Sequence, residues 1–250
     1  MKTVMITGAN SGFGKAIALR LCRHNFNLIL TGRSKEKLNP VMEEISGIPS
    51  SRVFPLIMDV RDFDECERAV ASLPDDFKNV DILINNAGLA LELDTVDRGN
   101  IEDWDRMIDT NVKGLLYVTR LVAPRMVERK EGHIVNIGSI SSHEVYKGGA
   151  VYCASKHAVW ALTQGMRTDF LEYGIKVTQV SPGAAETHFS LTRFHGNKEK
   201  ASKVYEGFTS LSADDVADVV EFAVTRPAHV CLDEIIVTPT AQFHGVIIRK

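Results

Sequence analysis

The sequence predicts an α/β protein built on a doubly wound parallel sheet in one domain. Three observations carry this prediction. Short apolar runs alternate with longer amphipathic stretches along the 250 residues. The early runs are almost wholly apolar (Val4, Met5, Ile6; Ile82, Leu83, Ile84; Ile134, Val135), as strands buried on both faces of a parallel sheet must be. Strand–helix alternation of this kind gives a sheet with helices on both sides. No repeat, low-complexity segment or Pro/Gly/Ser-rich linker divides the chain, and α/β domains commonly reach this length.

The elements follow in order. "KTVMITG" reads as a strand, and "GKAIALRLCRHN" as a helix ending near Asn25. "FNLILTGR" is the second strand. "SKEKLNPVMEEIS" is helical with Ser34 as N-cap, and Pro40 fits only near its first turns. "RVFPLIMDV" is the third strand, and "DFDECERAVASL" a helix with Asp62 at its start. "VDILINNAG" is the fourth strand. A long helical stretch runs from about Ile101 to Arg129, interrupted in packing by Gly114 and Pro124. "GHIVNIGS" is the fifth strand, and the helix after it, from "GAVYCASK", is closed by Gly174. "IKVTQVSPG" is the sixth strand, followed by a polar segment. "SADDVADVVEFAVT" is a helix capped by Ser212, and "DEIIVTPT" the last strand.

Composition removes several function classes. The net charge of −3 and the scattered Lys and Arg leave no basic signature for nucleic acid or an anionic membrane. The four cysteines form no C-x-x-C and no metal spacing, so no metal is expected. They read as reduced, mostly buried thiols of an intracellular protein, with Cys153 as a packed helix residue. "MKTVMITGAN" reaches Gly8 before a signal-peptide apolar region could form, and no apolar run approaches the roughly 20 residues of a membrane span. A cytoplasmic location is therefore expected.

The turn "TGANSGFG" sits between the first strand and the first helix. Gly8, Gly12 and Gly14 would let the backbone turn sharply and approach a pyrophosphate, which the helix's free N–H groups attract. Asn10, Ser11 and Phe13 complete that cradle. A tight turn that binds nothing is the alternative. At the end of the second strand, where an acid would bond the ribose 2′-OH of NAD, the chain has Arg33 and Ser34 after Gly32. A guanidinium fork suits the 2′-phosphate of NADP, so NADP is the expected cofactor. Asp59, followed by Val60, is placed to accept from an adenine amino group or else to serve as a turn residue. Asn86, Ala87 and Gly88 end the fourth strand, where a ligand crevice opens.

"VYCASK" places Tyr152 and Lys156 four residues apart, on one face of a helix. An ammonium there would pull the phenol's pKa down and make an acid/base of it; an ordinary surface pair is the alternative. "TGANSGFG", "NNAG", "GS" at 138–139, "YCASK" and "SPG" at 181–183 occur in that order at strand ends. Together they resemble the short-chain dehydrogenase/reductase family over nearly the whole chain. The resemblance implies a Rossmann fold with a seven-stranded sheet in the order 3-2-1-4-5-6-7. It also implies a catalytic set of Asn111 in "DTNVKG", Ser139 in "NIGS", Tyr152 and Lys156. Tyr152 would donate the proton in carbonyl reduction and accept it in alcohol oxidation. Lys156 would lower its pKa and hold the nicotinamide ribose, and Ser139 would bond the carbonyl oxygen. Asn111 would position a water in a relay. Pro182, Gly183 and Thr187 in "SPGAAET" would cover the nicotinamide.

"LINNAGLALELDTVD", "DWDRMIDTNVKGLLYVTR", "MVERKEGHIVNIGS" and "LSADDVADVV" further resemble the microbial branch of NADP-dependent 3-hydroxy acid dehydrogenases. That branch implies a small 3-hydroxy acid, or its 3-oxo or semialdehyde partner, and a homotetramer. His143, Glu144, Lys147 and His188 depart from its pattern near the pocket, the two histidines reading as exposed loop residues. Tyr146 and Ser139 are expected to face the substrate. Arg193 in "LTRF" is either the anchor for its carboxylate or one half of a salt bridge within a lid spanning residues 184 to about 205. The other readings are a broad carbonyl or 3-oxoacyl reductase of the same family and a non-catalytic NADP-sensing protein.

Overall fold

The computed structural model describes residues 1–48, 51–245 and 248–249. Seven strands form one sheet: β1 (Thr3–Ile6), β2 (Asn27–Gly32), β3 (Val53–Ile57), β4 (Ile82–Asn85), β5 (His133–Ile137), β6 (Lys176–Pro182) and β7 (Glu234–Val237). Their order is β3-β2-β1-β4-β5-β6-β7 and every pair is parallel. The predicted topology is the observed one. β1, β2, β4 and β5 are buried along their whole length, which accounts for their unbroken apolar runs. β3 lies at the sheet edge, where Pro55 can be spared a ladder donor.

Nine α-helices flank the sheet among the described residues: α1 (Gly12–Leu21), α2 (Lys35–Ser46), α3 (Phe63–Ala71), α4 (Ile101–Ile108), α5 (Gly114–Arg129), α6 (Ala150–Asp169), α7 (His188–Arg193), α8 (Lys198–Lys203) and α9 (Ala213–Val224). Two cores form, one on each sheet face. Ile17 and Leu21 of α1 and Val216 and Val220 of α9 pack on one face; Val118 and Val122 of α5 and Val159 of α6 pack on the other. Each fully buried aliphatic side chain of this kind contributes about 1.5–3 kcal/mol relative to exposure.

Capping follows the sequence. Ser34, Asp62 and Ser212 each accept a backbone N–H at the start of α2, α3 and α9, and Ser212 forms a capping box with Asp215. Such caps contribute about 1 kcal/mol each. Arg20 of α1 donates to Asp214, Asp218 and Glu221 of α9, which fixes the helix that carries the glycine loop.

The structure corrects several boundaries. Pro40 is the sixth residue of α2, in its second turn, and is exposed. α6 ends at Asp169, and a 3₁₀ turn, Leu171–Tyr173, precedes Gly174, whose φ of +67° closes the segment. The stretch from Ile101 to Arg129 is continuous. Between α4 and α5 lies a π-helical turn, Asp109–Lys113, and Gly114 after it leaves room for Val60, whose Cγ2 would lie 2.8 Å from an added Cβ. The segment read as simply polar, 184–205, contains α7 and α8.

Candidate active site

The sheet order reverses between β1 and β4, and a cleft of about 540 Å³ opens at the carboxyl ends of the strands there. Gly8, Asn10, Ser11, Gly12 and Phe13 form one wall. Gly8 and Gly12 have φ of +65° and +51°, a region that costs other residues strain. Gly14 does not line the cleft. It serves close packing, since a Cβ there would stand 2.3 Å from the Gly8 carbonyl oxygen. Ser11 occupies the N-cap of α1 but makes no side-chain bond to it, so the first-turn N–H groups have no side-chain acceptor. Those groups and the helix dipole suit a pyrophosphate.

Asn86 lines the cleft, yet its amide donates to the Thr7 carbonyl at 2.8 Å and the Gly8 carbonyl at 3.2 Å. It clamps the glycine loop from β4. Ala87 and Gly88 continue the same wall. Asn85, the first asparagine of "NNAG", points away from the cleft and joins a buried chain, Thr119–Asn85–Asn136–Thr163, that ties β4 and β5 to α5 and α6.

At the other end of the cleft Arg33 and Lys37 are exposed, and among the described residues neither side chain has a hydrogen bond or an ion pair. Two unpaired cations where β2 ends form a receptor for a phosphate. Lys37 was missed by sequence reasoning, although it follows Arg33 by one helical turn. Ser34 does not line the cleft, because its hydroxyl accepts from the Lys37 N–H as the α2 cap. Asp59 and Val60 line the cleft. The Asp59 carboxylate accepts the Arg61 backbone N–H at 3.1 Å and its guanidinium at 2.6 Å, so it acts as a turn residue whatever else it binds. Arg61 and Arg106 add cations that sequence reasoning did not single out.

Tyr152 and Lys156 lie on α6 at the cleft floor, 8% and 7% exposed. The Lys156 ammonium donates to the Ile137 carbonyl at 2.8 Å, and burial pushes its pKa down to about 8. Burial pushes the Tyr152 phenol well above the ordinary tyrosine value, and Tyr146 adds to that; the Arg193 guanidinium and the Ser139 hydroxyl oppose it. The phenol thus lies above the ordinary tyrosine value and not below it as expected. The Lys156 nitrogen is held against the end of β5, and the Arg193 guanidinium is a cation that opposes the rise. Ser139, at the end of β5, accepts the Ser141 N–H at 3.1 Å. Asn111 sits in the π-helical turn. Its amide donates to the Leu89 carbonyl and to Ser155, and its oxygen accepts the Leu89 N–H. Both hydrogens of that amide are used, so the side chain could meet a water only as an acceptor. π-Helical turns cluster at functional sites, and this one had no signal beyond "DTNVKG".

Over this floor lies the segment 184–205. Thr187 lines the cleft and caps α7, accepting the Phe189 N–H. His188 is exposed on the same rim. Pro182 and Gly183 lie outside the cleft lining; Gly183 donates to the Val237 carbonyl and packs against Gln242. Arg193 makes no salt bridge within the lid. Its guanidinium donates to the Tyr146 hydroxyl at 2.5 Å and lies 5.2 Å from the Tyr152 ring centre, 5.6 Å from that of Phe189 and 5.7 Å from that of Tyr146. Its Nε is buried with no partner among the described residues. His143, exposed as expected, bonds Glu234 of β7.

Three comparisons bear on this geometry. A family model described as short chain dehydrogenase matches residues 2–198. An NADP-dependent 3-hydroxy acid dehydrogenase of Salmonella typhi is 41% identical over 99% of both chains, and one of Schizosaccharomyces pombe is 40% identical over 96% of this chain and 93% of its own. The structure of a serine dehydrogenase in a closed form complexed with NADP+ superposes with a TM-score of 0.92 at 40% identity, covering 99% of each chain.

Proposed function

The chain belongs to the short-chain dehydrogenase family, and from that premise we propose that it interconverts a small 3-hydroxy acid and the matching 3-oxo acid or semialdehyde. It is an NADP-dependent oxidoreductase acting on CH–OH groups. The observation that carries the substrate reading is the half-satisfied Arg193 guanidinium over the Tyr152 ring. A carboxylate held there leaves the oxygen on C3, one methylene beyond the carbon next to it, to be met by the acid/base group. An uncharged carbonyl would gain nothing from that cation.

The glycine loop and the N-terminus of α1 fit the pyrophosphate of NADP, and Arg33 with Lys37 fits its 2′-phosphate. When bound, the nicotinamide supplies the hydride or takes it up. The chain's own residues do the remaining chemistry. Tyr152 gives its proton to the carbonyl oxygen in reduction and takes it from the hydroxyl in oxidation. Ser139 donates to that oxygen as negative charge develops. Lys156 would hold the nicotinamide ribose, and the Asn111 turn would pass protons toward solvent. Gly183 and Pro182 fix the end of β6 so that Thr187 can reach the carboxamide. Residues 184–205 act as a lid that orders over cofactor and substrate. The exposed apolar Trp160, Phe222 and Ile236 suit burial in a homotetramer. No helix among the described residues is long and apolar enough to cross a membrane, which accords with a cytoplasmic enzyme.

A matched pair of substrates tests the reading. Turnover with NADP should be followed for a 3-hydroxy acid and for an uncharged alcohol of the same length. Arg193→Ala should raise KM for the acid roughly tenfold or more and leave the alcohol nearly unchanged, since a charge-assisted bond contributes about 1.5–3 kcal/mol. An equal effect on both would assign Arg193 a packing role.

A further inference from the structure

α7 ends in a way that spends conformational strain beside Arg193. The Gly196 N–H bonds back to the Leu191 carbonyl at 2.8 Å and the His195 N–H to the Thr192 carbonyl at 3.2 Å, the paired closure of a Schellman motif. The residue that must turn left-handed in that motif is His195, with φ of +47°. Glycine takes that conformation without a Cβ penalty and is the usual occupant. Opposite it, Glu92 is also left-handed, with φ of +45°. Its N–H donates to the Arg193 carbonyl at 2.8 Å.

The side chains of both strained residues meet at the same point. His195 Nε2 lies 3.1 Å from the Asp103 carboxylate on α4 and 4.0 Å from that of Glu92. Lys200 of α8 lies 3.6 Å from the second Glu92 oxygen. Asp103 and Glu92 are only 14% and 25% exposed at their side chains. Whether neutral with one ring N–H or doubly protonated, His195 can donate to Asp103. The lid is thus fastened at two points: by backbone at Arg193 itself, and by charge two residues later.

We infer that Glu92 and Asp103, acting through His195, are positioning residues that hold the Arg193 guanidinium over the Tyr152 ring for the substrate's carboxylate. This rests on the reading of Arg193 given above. A loosened clasp lets the α7 terminus drift and weakens the acid's binding, but it leaves Tyr152, Ser139 and Lys156 where they are. The distinguishing signature is a rise in KM for the charged substrate alone. His195→Gly sharpens the point, because glycine suits the left-handed position and should not lower thermal stability.

The experiment is steady-state kinetics of the full chain at saturating NADP with the same acid and alcohol pair, together with thermal melts. His195→Gly, Asp103→Asn and Glu92→Gln should each raise KM for the acid about two- to fivefold, the range expected of one partly exposed charged contact. kcat should stay within about twofold and the alcohol KM should not move. His195→Lys, which restores a donor to Asp103, should return KM for the acid close to wild type. Should His195→Gly express poorly, Asp103→Asn and His195→Lys still decide. A wild-type preference for the acid that survives all of these substitutions overturns the clasp alone. A wild type with no such preference overturns the Arg193 reading and the clasp with it.

Discussion

The glycine loop between β1 and α1 and the lid at 184–205 face each other across one cleft and are built in opposite ways. The loop is a backbone device. Gly8 and Gly12 turn left-handed, Gly14 touches the Gly8 carbonyl, and Asn86 pins the turn by bonding two main-chain oxygens. The lid is a side-chain device. Arg193 rests on Tyr146, Tyr152 and Phe189, and His195 reaches Asp103, 92 residues away in sequence. A pyrophosphate is what every dinucleotide shares, so a fixed local conformation would serve to bind it. Under the proposed function, telling one small acid from another falls to the segment 184–205, and that would take side chains gathered from several elements.

Tyr152 stands where the two devices meet, and its loss should have the largest effect. Tyr152→Phe keeps the ring that stacks edge-on with Phe189 and carries Arg193, but deletes the titrating oxygen. Turnover should fall by about 10²- to 10⁴-fold, with NADP affinity nearly intact because the loop is untouched. The pH dependence has a definite sign. Burial raises the phenol's pKa, so the protonated acid dominates at neutral pH. Oxidation, which needs the base, should climb with pH into the alkaline range, and reduction should fall there. A Tyr152→Phe enzyme that is folded by circular dichroism and keeps most of its turnover would remove the phenol from the mechanism.

The same contrast explains what the sequence disclosed. Strand order, the glycine loop, the caps at Ser34, Asp62 and Ser212, and the positions of Tyr152 and Lys156 all follow from local patterns. Buried strands read as apolar runs, caps as single polar residues, and a helix face as a spacing of four. Three features had no local signal. The π-helical turn at Asn111 is tied by that side chain to Leu89 and to Ser155 of α6, both remote in sequence. A cation from another element, Arg193, comes over the Tyr152 ring, while Lys156 is drawn to the Ile137 carbonyl. That Lys37 lines the cleft beside Arg33 depends on how α2 packs against the sheet, which the predicted cap at Ser34 does not fix.

A second substitution probes the loop's end of the cleft. Arg33→Asp should weaken NADP by roughly 10- to 150-fold, the loss of one charge-assisted contact, while leaving the lid's substrate discrimination alone. Lys37→Ala should act in the same direction with a smaller effect, since a lysine offers a point charge and not a fork. NADPH and NADH titrations of both variants, followed by nicotinamide fluorescence, measure this. Equal catalytic efficiency of the wild type with the two cofactors would show that the cation pair does not read the 2′-phosphate.

The smallest effect separates the two devices most cleanly, because it adds the same methyl group to each. In the loop, Gly14→Ala would put a Cβ 2.3 Å from the Gly8 carbonyl oxygen and 2.6 Å from Asn86 Nδ2. Backbone cannot yield there without moving the turn. Overpacking of this sort costs about 1–3 kcal/mol, and the displaced turn should also weaken NADP. In the lid, Gly196 has φ of +88°, but an added Cβ would meet nothing within 4 Å. Gly196→Ala therefore pays only for an alanine in a left-handed conformation, about 1–2 kcal/mol, and NADP affinity should not change. Thermal melts and NADP titrations of the two variants measure both quantities. In a chain of this size each kcal/mol lowers Tm by about 2–4 °C. The two melts alone can overlap, so the cofactor titration decides: a loss confined to Gly14→Ala means the loop binds through its backbone fit, whereas equal losses in both would mean the lid also contributes backbone to the dinucleotide.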